Sequence, residues 1–103
     1  MNPKPPSERQ LLAERIYAYL VAADRFTAPY GVLLGEYTPK SGRGKARCVT
    51  FGFARTLDAT LVIWSTTRLD LHTSRGDETF TSEYGFYKYC VENYNTQPPV
   101  MKG

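Results

Sequence analysis

The chain has 103 residues, with 13 Lys or Arg against 10 Asp or Glu, one His, two Cys and one Trp. That length supports one domain, and a hydrophobic share of 42% belongs to a globular chain rather than a disordered one. No apolar run approaches the ~20 residues of a membrane-spanning helix, and the start Met1-Asn2-Pro3-Lys4-Pro5-Pro6 leads into no signal-peptide core.

Residues 1–6 read as a mobile, Pro-rich lead-in. Ser7-Glu8-Arg9-Gln10 fits a capping box, in which the Ser hydroxyl serves one free amide and Gln10 reaches back to another. Leu12, Ile16, Tyr19, Leu20 and Ala23 follow at three- and four-residue spacing, which predicts a helix from Ser7 to Asp24. Residues 30–37 then read as a strand and 38–44 as a loop. Residues 45–55 alternate, with bulky Val49, Phe51 and Phe53 on one face and Ala46, Cys48, Thr50, Gly52 and Ala54 on the other. The bulky face is the stronger core candidate, while the small face would let a helix approach closely, and the sequence leaves the choice between them open.

Residues 60–64 form a β-branched third strand, and 68–74 alternate as a fourth. Arg75-Gly76-Asp77 turns the chain, and 78–80 add a short edge piece. Thr81 or Ser82 caps a closing helix. Its expected inner side is Tyr84, Tyr87, Cys90, Val91 and Tyr94, with Tyr89 and Phe86 pointing outward. The order predicts a two-layer α+β domain over 7–94: an N-terminal helix, an antiparallel sheet of three or four strands, and a C-terminal helix. Both helices should cover one side of the sheet. Residues 95–103, with Pro98-Pro99 and no periodicity, read as a flexible tail.

Charge is unevenly placed. Between Tyr37 and Leu57 lie Lys40, Arg43, Lys45, Arg47 and Arg55 with no acid, whereas Asp70 to Glu92 holds five acids against Arg75 and Lys88. Eight Tyr exceed what a small core holds easily, since a buried phenol needs a partner for its hydroxyl. Cys48 and Cys90 are too few and too far apart for a disulfide scaffold. Buried free thiols in a reducing, cytoplasmic setting are the expectation.

Motifs for specific chemistry are incomplete. Lys40-Ser41-Gly42-Arg43-Gly44-Lys45 departs from a phosphate-binding P-loop at Pro39, where Gly is needed, and at Ala46, where Ser or Thr is needed. Phe51-Gly52-Phe53-Ala54 matches about half of the base-stacking strand of RNA-recognition domains and departs at Val49, Thr50 and Thr56. Asp70, His72 and Ser74 share a strand face, but side chains two apart on one strand stand about 7 Å from each other, and a triad is defined by geometry. One His and two distant Cys make no closed zinc site, and no cofactor motif is present.

The sequence therefore points to a small, non-enzymatic, intracellular interaction module that docks on a partner protein, as regulators and inhibitors from phages and mobile elements do. The candidate docking residues are Glu83, Tyr84, Phe86, Tyr89 and Glu92, because exposed Tyr with flanking acids suits a protein-binding patch. The alternative is nucleic-acid binding through the basic hairpin 40–55, on Lys40, Arg43, Lys45, Arg47 and Arg55. A small enzyme centred on His72 comes third. An exposed edge strand or sheet face would also admit a homo-oligomer.

Overall fold

The computed structural model describes residues 7–23, 26, 31–38, 46–52 and 59–98. The lead-in 1–6, the loop residues Lys40, Arg43 and Lys45, and Phe53, Arg55 and 99–103 lie outside the described residues. The first helix, α1, spans Glu8–Ala23. Ser7 starts it as expected: its hydroxyl accepts from the Gln10 amide at 3.1 Å, and its carbonyl accepts from the Leu11 amide at 3.0 Å. The other half of the capping box does not close that way, because the Gln10 carboxamide oxygen accepts from Arg47 Nη2 at 3.2 Å.

Five strands follow: β1 (Val32–Tyr37), β2 (Ala46–Phe51), β3 (Ala59–Ser65), β4 (Arg68–Thr73) and β5 (Gly76–Phe80). They pair in chain order, each antiparallel to the next. The sheet thus has five strands where the sequence suggests three or four. The piece around 78–80 extends back to Gly76 and pairs with β4 along its whole length, from Leu69 opposite Phe80 to Thr73 opposite Gly76. Ser74 and Arg75 make the turn, and Gly76 takes φ 131°, which a side chain at that position would resist. Thr73 fixes the turn by donating its hydroxyl proton to the Gly76 carbonyl at 2.7 Å and accepting from the Arg75 amide at 3.1 Å.

The second helix, α2, spans Glu83–Tyr94 and ends on Asn95 in the left-handed conformation. Both helices lie on one face of the sheet. Leu12, Ile16 and Leu20 of α1 and Phe86, Tyr87 and Cys90 of α2 join Val49, Phe51, Leu61, Ile63, Leu69 and Leu71 in one buried cluster. Each fully buried aliphatic or Phe side chain there contributes about 1.5–3 kcal/mol of transfer free energy. The bulky face of β2 is the core face, as its alternation suggests.

Two expectations for the C-terminal third need correction. Phe86 is fully buried and Tyr84 is 57% exposed, the reverse of the expected phase. Positions 84 and 86 lie about 200° apart around a helix, so burying one exposes the other. Phe has no hydroxyl to satisfy, whereas a buried Tyr must find a partner, and the helix turns its Phe inward. The segment after Tyr94 is also anchored at its start. Thr96 is buried, and its hydroxyl lies 2.7 Å from that of Tyr19.

The face away from the helices carries a smaller cluster. Cys48, Val62 and Asp70 are cross-strand neighbours there, since Val49, Leu61 and Leu71 occupy the core side. Val62 is fully buried nonetheless. The Trp64 indole N–H donates to Asp70 Oδ2 at 3.0 Å, and Asp70 stands directly across from Val62. Tyr37 meets Trp64 edge to face at 5.7 Å. Cys48 is half-buried rather than fully buried, and it sits on the opposite side of the sheet from Cys90, so the two thiols cannot bridge. Among the described residues no helix is long and apolar enough to cross a membrane.

Candidate functional site

The expected docking residues gather on α2, and their geometry starts at its first turn. Ser82 is the N-cap, with extended backbone and its hydroxyl accepting from the Gly85 amide at 3.0 Å. Glu83 follows, where a carboxylate suits the positive end of the helix. Arg15 reaches it from α1, with Nη2 at 2.9 Å from Oε1 and Nε at 3.1 Å from Oε2. One turn along, Tyr87 donates its hydroxyl proton to Glu83 Oε2 at 2.5 Å. The Tyr87 ring rests 4.5 Å from that of Tyr19. Tyr19 gives its single proton to the Gln97 carbonyl at 2.7 Å, so Thr96 is the donor in the hydroxyl pair.

This network shifts the titration of three groups. Burial alone would raise the Glu83 carboxyl, but the hydrogen bonds from Arg15 and Tyr87 outweigh it and hold the group below its ordinary value. The Arg15 guanidinium is raised chiefly by its hydrogen bond to Glu83. Burial, then the bond to Glu83, raises the Tyr87 phenol, which stays protonated. Burial also pushes the Cys90 thiol up to about 12 and raises that of Cys48, so neither is a ready thiolate.

Beside this anchored pair stands Tyr84, which makes no hydrogen bond or ring contact among the described residues. With Ser82, Glu83 and Tyr87 it lines a hollow of about 290 Å³. Lys88 and Glu92 follow Tyr84 at four-residue intervals, both exposed, so the three make one stripe along α2. That spacing is legible in the sequence once the phase of the helix is known. Tyr89 is half-buried, its ring 5.4 Å from Phe80 and 5.8 Å from Tyr94, and Phe86 belongs to the core. Of the five expected residues, Glu83, Tyr84 and Glu92 reach the surface, Tyr89 contributes one edge, and Phe86 none.

The basic hairpin is represented among the described residues by Arg47. It is half-buried on the helix-covered face, with Nη1 3.4 Å from Glu36 Oε1 and Nη2 on Gln10. On the open face, Asp70 and His72 take separate partners. Asp70 accepts from Trp64 and from the Thr79 hydroxyl at 3.0 Å, while His72 Nδ1 lies 3.3 Å from Asp77 Oδ1 across the β4–β5 ladder. Ser74 is exposed in the turn. No three of His, Cys, Asp and Glu among the described residues gather as a metal site would require. No protein-family model matches the chain, and neither the curated proteins nor the solved structures hold a match to it.

Proposed function

We propose that the chain is a small, non-enzymatic interaction module that docks on a partner protein through the exposed stripe of α2 and the hollow beside it, acting on that partner as a regulator or inhibitor does. Tyr84 carries the reading. It is a large aromatic side chain left 57% exposed, without a side-chain hydrogen bond or ring contact among the described residues, and it lines the hollow of about 290 Å³. An aromatic anchor buries much surface while losing little rotamer entropy, which is why such residues dominate docking energetics. Glu83 and Tyr87, which line the hollow with it, are bonded to each other and, through Glu83, to Arg15. From Gly76 to Tyr94 there are four acids, against Lys88 and the Arg15 that pairs with Glu83, an acidic excess that favours a basic partner surface. The two unbridged thiols fit a reducing, cytoplasmic setting.

Affinity capture from the source cells, followed by binding measured with the purified partner, tests this. Tyr84→Ala is expected to weaken binding about 30-fold or more, the mark of an anchor residue, with thermal unfolding unchanged. Undiminished binding contradicts the reading. So does capture of nucleic acid with an affinity that falls steeply with salt, the behaviour expected of the basic segment instead.

A further inference from the structure

The two edges of the sheet are finished differently. β5 carries Asp77 and Glu78 on its opposite faces, acids that repel a second strand of the same kind. β1 has one charged residue, Glu36, and its carboxylate meets Arg47. Leu33 and Leu34 stand 47% and 41% exposed on opposite faces of β1. Four of the five exposed large apolar side chains among the described residues, Leu11, Val21, Leu33 and Leu34, belong to β1 and to α1 packed over it.

The backbone shows which groups face outward. The Gly52 amide donates to the Gly31 carbonyl at 3.4 Å, and these two residues continue the β1–β2 register one step beyond Val32 opposite Phe51. Bonded and non-bonded pairs alternate along an antiparallel ladder. Leu33, Gly35 and Tyr37 therefore turn their amides and carbonyls toward β2, and Val32 and Leu34 turn theirs away from the sheet.

The side chains on this edge complement their own twofold image. On the face away from the helices the order is Gly31, Leu33, Gly35, Tyr37. An antiparallel copy turned about an axis at Leu34 sets Leu33 opposite Gly35 and Tyr37 opposite Gly31, so each bulky side chain meets a glycine. On the helix-covered face Leu34 meets Leu34 and Val32 stands opposite Glu36, which brings no like charges face to face. Among the described residues the chain's own packing does not demand a glycine at 35, since an added Cβ would meet Cys48 Sγ alone, at an ordinary 3.7 Å.

We propose that β1 pairs antiparallel with β1 of a second copy about a twofold axis at Leu34, joining two five-stranded sheets into one. Sedimentation equilibrium of the full chain, with amide hydrogen exchange read at low and high protein concentration, tests it. The expected result is a monomer–dimer equilibrium. Amides of Leu33, Gly35 and Tyr37 are protected throughout, and those of Val32 and Leu34 become protected only as the dimer forms. Leu34→Lys places two cations at the axis and is expected to lower the association constant about tenfold or more, with Tyr84→Ala leaving it unchanged. The exchange pattern of the unaltered chain needs no variant to fold. A monomer at every concentration, a dimer whose Val32 and Leu34 amides exchange freely, or a dimer that Leu34→Lys leaves intact overturns the proposal.

Discussion

Glu83 shows how one carboxylate serves both stability and the site. Its folded pKa lies below the ordinary 4.5, because Arg15 and Tyr87 favour the charged form more than burial opposes it. The sign follows directly. The stabilisation is whole above 4.5 and is lost as pH falls through the lower folded value. Both partners are partly exposed, so the pair is worth about 0.2–1 kcal/mol. Glu83→Gln should cost that much in urea unfolding near neutral pH, and the gap to the unaltered chain should close on acidification. A gap that persists into acid would mean that Glu83 acts by packing rather than by charge. Tyr84, its neighbour, contributes to none of this network, so replacing it leaves the Arg15–Glu83–Tyr87 bonds intact.

At the level of elements, α2 separates two kinds of aromatic residue. Phe86 is fully buried between Phe51, at 6.2 Å between ring centroids, and Phe80, at 5.6 Å. Phe86→Ala is expected to cost about 3–5 kcal/mol in chemical denaturation, a large share of a small domain's stability, whereas Tyr84→Ala should stay within about 0.5 kcal/mol. Equal losses would contradict the phase of the helix. That phase was the part of α2 the sequence leaves open: Ser82 marks the start, but Tyr84, Phe86, Tyr87 and Tyr89 ring the helix, and hydropathy alone ranks them too closely. α1 was legible in its start and its buried face, since Leu12, Ile16 and Leu20 admit one apolar stripe behind a Ser cap, but not in the role of Gln10, which turns to Arg47. β5 was legible only in part, because Gly76-Asp77-Glu78-Thr79-Phe80 has no apolar alternation and becomes a strand through the free edge of β4. Trp64 was missed as an open-face residue; its indole finds Asp70 through a cross-strand register that composition does not reveal.

The whole molecule is a sheet with one face filled by two helices and the other held by a small cluster around Trp64. Its candidate surfaces lie apart: the stripe of α2 beside β5, and the β1 edge at the far side of the sheet. Because the two surfaces lie apart, the proposed β1 pairing and the proposed docking through α2 do not compete. The split in charge supports the same division of labour, with acids gathered from β5 through α2 and Arg47 engaged under α1. The most direct measurement places a photoreactive amino acid at Tyr84 and, as a control, at exposed Thr66 in the β3–β4 turn, with crosslinking in the source cells. Docking through α2 predicts one protein adduct from position 84, absent from position 66 and carrying a basic contact surface. Identical adducts from both positions, nucleic acid joined at 84, or no adduct from 84 would contradict it.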